Sequence, residues 1–79
     1  MENIVEHIQM MQEEKEMPKN IKAKLTHIVS ILKNEDEEPS LKIDKAISEI
    51  EDIAEDVNIQ SEVRMDLFNI TSLLESTRS

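Results

Sequence analysis

From Ile43 to Val57, the residues Ile43, Ile47, Ile50, Ala54 and Val57 recur at intervals of four, three, four and three. Such intervals keep one apolar face on a helix and form a seam that packs knobs into holes against a neighbouring helix. A strand alternates with a period of two and would scatter the same residues over both faces. Ala46 and Ile53 join them within an arc of about 120° at roughly 100° per residue. Three further segments carry the same signature: Ile4, Val5, Ile8 and Met11; then Ile21, Leu25, Ile28, Val29 and Leu32; then Val63, Leu67, Ile70 and Leu73. No segment shows a period of two. The chain has no Gly, Trp or Tyr and one Phe, and is rich in Glu, Lys, Ile and Leu, a helical composition.

Pro18 fits the first turn of the second helix, where its missing N–H and fixed φ cost little. Asn34 and the acidic loop EDEEP close that helix, and the fourth is expected to run from near Ile59 to Leu74. Asn58 directly after Val57 leaves almost no linker before it, so Glu55 and Asp56 would favour the dipole of the following helix. With short connections, consecutive helices reverse direction. The expectation is an all-α protein, an antiparallel up-and-down four-helix bundle forming one domain over residues 1–79. Seventy-nine residues without cysteine exclude disulfides and thiolate metal sites, leaving helix packing or oligomerisation to supplement a small core.

The formal net charge of −9 is uneven. Residues 1–33 hold five acids and five bases, and residues 34–79 hold thirteen acids and four bases. An acidic chain repels phosphate backbones at long range, which disfavours nucleic acid as a partner. No apolar run approaches the roughly 20 residues that span a bilayer, and MENIVEHIQMM carries acids where a secretory signal carries bases. A cytoplasmic protein with no membrane contact is expected.

Some apolar residues leave their stripes. Met65 and Phe68, three apart and adjacent on the surface, lie roughly opposite the main face of the fourth helix. Met10 and Ile31 lie about 100° or more from the centres of theirs. Two readings stand open: a wide arc that touches a second neighbour in the bundle, or an exposed patch that holds a partner. A charged residue at Phe68 separates them, because unfolding would mean core and a stable monomer would mean interface. Asp66 falls near the apolar face of its helix and is expected at its rim.

The search for chemistry yields little. Glu-x-x-His before His7 or His27 would need Glu where Ile4 and Lys24 stand, so the di-iron bundle signature is missing. His-Glu-x-x-His, Gly-rich phosphate loops and a thiol nucleophile are absent as well. Glu49, Asp52 and Asp56 form a row beside Glu51 and Glu55, but a straight helix offers too few oxygens for a calcium or magnesium shell. No metal, cofactor or small-molecule site is expected. Lys19, Lys22 and Lys33 lie within about 60° of one another beside Thr26 and Ser30, away from the core stripe. Without arginine or an interleaved aromatic, they offer phosphate positioning and no base readout.

MPKNIK at 17–22 resembles the Val-Pro-Arg-Asn-Ile-Arg segment of uncharacterised protein family 0147, a family of small archaeal proteins. AISEIEDIAEDVNIQSEVRMDLFNITSLLES, from Ala46 to Ser76, looks like that family's acidic helix, its Asp-Pro-Asn-Met-Pro-like corner and its closing helix. The likeness covers nearly the whole chain. Pro18, Asn20, Ile21, Asn58, Arg64, Phe68, Ser72 and Glu75 stand at matching positions. Val57 and Gln60 replace prolines of the corner, which implies a less rigid turn, and Lys19 and Lys22 replace arginines, which removes a bidentate fork. The resemblance implies a short helical bundle and brings no activity with it.

The expected role is therefore noncatalytic: a small adaptor or interaction module, self-associating or holding another protein through Met10, Ile31, Met65 and Phe68. The competing expectation is a nucleic-acid- or ribosome-associated factor using Lys19, Lys22, Lys24 and Lys33.

Overall fold

The structure, a computed structural model, describes residues 2–78. Four helices follow one another: α1 (Glu2–Glu14), α2 (Lys19–Lys33), α3 (Pro39–Ala54) and α4 (Ser61–Arg78). Each of α1 and α3 packs against both α2 and α4, and neither diagonal pair comes together, which is the ring of neighbours of an up-and-down bundle. Contacts at the helix ends give the direction. Gln12 Nε2 near the end of α1 donates to Lys22 O and Thr26 Oγ1 near the start of α2, each at 2.9 Å. Lys15, just past α1, pairs with Glu62 in the first turn of α4. Neighbouring helices are thus antiparallel, in a body of 32 × 19 × 18 Å.

The corners are built without glycine, and no described residue has a positive φ. Left-handed C-caps are therefore not used, and side-chain turns take over. Asn34 Oδ1 accepts from the Asp36 N–H at 3.0 Å after α2, and Asp56 Oδ1 accepts from the Asn58 N–H at 2.8 Å after α3. Two prolines set the entries. Pro18 precedes α2 with φ −58°, and its carbonyl accepts from Ile21 and Lys22, both at 3.1 Å. Pro39 opens α3, where the missing N–H would have had no helical partner.

The expected stripes of α1 and α2 are buried in full, as is that of α3 from Ile43 to Ile53. The second half departs from expectation at one corner and one face. Val57, placed in the α3 seam by its spacing, is 89% exposed. The helix stops at Ala54, and the Asp56 turn carries Val57 away from the core before Ile59 returns to be buried. The linker expected to be nearly absent covers residues 55–60, and α4 begins at Ser61 rather than near Ile59. It also continues past Leu74 to Arg78. Glu55 and Asp56 consequently precede α4 by several residues, and the acid in its first turn is Glu62. Leu73, expected in the α4 stripe, is 46% exposed, while Leu74 is fully buried. Val63, Leu67, Ile70 and Leu74 keep the four-three-four rhythm, and Leu73 sits about 100° from Leu74.

Candidate interaction surface

With its buried row at 63, 67, 70 and 74, α4 carries another row on its outer side. Met65 is 65% exposed and Phe68 55%, and both lie roughly opposite the buried row. Ser61, Ser72 and Glu75, also exposed, share that outer side. Met10, 55% exposed, lies on α1 and lines a shallow cleft of about 240 Å³ between α1 and α4. His7, Glu14, Lys15 and Asp66 share the cleft, and Asp66 is half-buried, as its rim position implied.

Ile31 is elsewhere. It is half-buried on the α2–α3 side, opposite the α1–α4 pair, in an open cleft of about 870 Å³. Nine of its eleven lining residues are polar or charged, and Ile31 and Val29 are the apolar ones. Lys45 Nζ donates to Glu37 Oε1 at 2.7 Å, and His27 Nε2 stands 4.0 Å from Glu49 Oε1. Glu37 Oε2 is buried without a hydrogen-bond partner. Among the described residues no three or more His, Asp or Glu side chains gather as a metal site, and Glu49, Asp52 and Asp56 do not form one. The structure therefore keeps Met65 and Phe68 together, sets Met10 on the neighbouring helix, and separates Ile31 from all three.

Lys19, Lys22, Lys24 and Lys33 are all exposed. Lys19 and Lys33 stand at opposite ends of α2, about 21 Å apart along its axis at 1.5 Å per residue. Lys24 is turned about 160° from Lys22 around the helix, so the four lysines share no single face.

Two cations that bear on this geometry do so by capping helices. Lys42 is buried on the α3 face that meets α2, and its Nζ donates to Leu32 O at 3.3 Å. Arg64, half-buried at the start of α4, donates from Nε to Ala54 O at 3.0 Å and from Nη2 to Asp56 O at 3.1 Å. Leu32 O and Ala54 O are carbonyls that a helix end leaves without an amide partner, and each receives positive charge here; Asp56 O, in the corner, also accepts from the Ile59 N–H at 3.5 Å. Lys42 had a sequence signal, four residues before Ala46 on the apolar arc, and snorkelling explains how a lysine can hold such a position. Arg64 had none beyond its place in the resemblance, because its acceptors lie on the preceding helix and corner.

A family model described as "Uncharacterised protein family (UPF0147)" matches residues 1–77. The chain belongs to UPF0147. Two UPF0147 proteins, from Methanosarcina mazei and Methanosarcina acetivorans, are each 37% identical to it over 60 residues. The matched region is 76% of this chain, and it covers 64% and 62% of those relatives' lengths. No solved structure matches this UPF0147 chain significantly. No described helix is long and apolar enough to cross a membrane. Of the positions that carried the resemblance, Pro18 opens α2 and Arg64 clasps the α3–α4 corner. Phe68, Ser72 and Glu75 lie together on the outer side of α4, where they support none of the core.

Proposed function

We propose that this UPF0147 protein is a noncatalytic interaction module that self-associates through the exposed apolar face formed by Met65 and Phe68, with Met10 at its margin. The observation that carries this reading is the exposure of Phe68, the only aromatic residue in the chain, beside Met65 on a helix whose opposite side already fills the core. The helix backbone is already ordered, so binding this pair costs only side-chain freedom, and burying it is favourable at about 25 cal/mol per Å². Neither side chain belongs to the buried core, which leaves both available to an interface.

The test is mass determination of the intact assembly across a concentration series, with Phe68→Glu as the variant. The expected result is a concentration-dependent dimer in the native chain and a folded monomer in the variant. Truncating a hot-spot side chain costs about 2 kcal/mol or more, so the dissociation constant should rise at least about 30-fold. Loss of helical signal in Phe68→Glu would return Phe68 to the core, and an unchanged dimer would remove it from the interface.

A further inference from the structure

The outer side of α4 repeats the rhythm of its core side. Ser61, Met65, Phe68, Ser72 and Glu75 recur at four, three, four and three, within an arc of about 80°. All five are exposed. One helix thus carries two seams back to back, one buried in the bundle and one facing solvent.

We propose that the outer seam pairs with the same seam of a second copy, antiparallel, with Phe68 on the twofold axis. This rests on the self-association reading above and adds its geometry. Phe68 is the midpoint of the row: Ser61 and Glu75 lie seven residues to either side of it. A twofold axis perpendicular to α4 at that point sets Phe68 against its counterpart and brings each copy's Ser61 opposite the other's Glu75. Serines flanking the large side chains let the two backbones approach.

Charge restricts the contact to this face and sets its direction. Each chain carries −9, so two copies repel unless they meet on a face with little charge. The outer row has a single charged residue, Glu75, in a chain that is 34% charged. In the antiparallel arrangement Glu75 lies beside the N-terminus of the partner's α4, where the helix dipole favours a carboxylate. In a parallel arrangement the two Glu75 carboxylates would face each other at the C-terminal half of both helices, where repulsion and dipole are both unfavourable.

The experiment uses single-cysteine variants of the full chain, which has no cysteine of its own. Ser61→Cys and Glu75→Cys are oxidised separately and as an equal mixture, and covalent dimers are read by intact mass. A disulfide needs Cα atoms within about 7 Å. In the proposed pair, two copies of Ser61→Cys hold their thiols about 21 Å apart along the helices, and so do two copies of Glu75→Cys. Covalent dimer is therefore expected in the mixture alone, as the mixed species. Raising salt from about 0.1 M to about 1 M, which shortens the Debye length from roughly 10 Å to 3 Å, should tighten the noncovalent dimer of the unmodified chain. Cross-linking within the Ser61→Cys sample, which keeps both Glu75 carboxylates, or in no sample while the native chain is dimeric by mass, overturns the antiparallel seam and leaves self-association standing. A native chain that stays monomeric at high concentration overturns both. A dimer that loosens with salt also overturns the seam, since its contact would then be ionic.

Discussion

Replacing Arg64 with alanine should destabilise the bundle by detaching one helix end from the next. The guanidinium donates to Ala54 O at 3.0 Å and Asp56 O at 3.1 Å, so one side chain of α4 satisfies the last carbonyls of α3 and the turn beyond it. Hydrogen bonds from a charged donor are worth about 1.5–3 kcal/mol each, and the cation at a helix C-terminus adds about 0.3–1 kcal/mol. Arg64 is half-buried, so water replaces part of what is lost, and the net cost should be about 2 kcal/mol. For a domain of this size that lowers Tm by about 8–16 °C. Thermal and urea unfolding followed by far-UV circular dichroism give the measurement. Arg64→Lys keeps the charge but presents no planar fork, so it should recover only about half of the loss. A shift of less than about 3 °C for alanine, or full recovery with lysine, would refute the argument that a two-carbonyl clasp holds this corner.

Leu74→Ala should cost about 2–5 kcal/mol, whereas Leu73→Ala should cost less than about 1 kcal/mol, because only the first opens a cavity. Equal urea midpoints for the two variants would contradict the assigned face of α4. Lys42→Met keeps most of the buried stem and gives up the bond to Leu32 O, at about 1 kcal/mol. Lys42→Glu should be much worse, since it sets a carboxylate against the carbonyl end of α2, and comparing the two midpoints separates capping from simple packing.

The helical class, the four segments and most of the core follow from the order of the residues alone. Ile4 to Met11, Ile21 to Leu32 and Ile43 to Ile53 are buried because a period near 3.6 gathers them on one side of a rigid rod, and burial of that side is what drives rods to pack. Periodicity continued through a helix end is where this reasoning fails. Val57 keeps the α3 rhythm, yet the helix has already ended at Ala54, so the residue is carried outward. The spacing of apolar residues does not reveal that end, because the last carbonyl of α3, Ala54 O, is held by Arg64 ten residues on in α4. Leu73 and Leu74 were separable only by a fixed register, since adjacent leucines offer the same chemistry about 100° apart.

The candidate surface divides in the same way. Met65 and Phe68 stood out as opposite their stripe, but their spacing was equally compatible with contact to a second neighbour in the bundle. Only the ring of packed helices, with α4 held between α1 and α3 and its outer side left over, leaves them in water. It also sends Ile31 to the opposite side and spreads the lysines along and around α2. Sequence by itself determined which apolar residues share a side of each helix, because that depends on an angle of about 100° and the chemistry of the side chain. Tertiary structure decided where the helices stop and which apolar residues remain outside, because both depend on partners that the chain brings together only by folding.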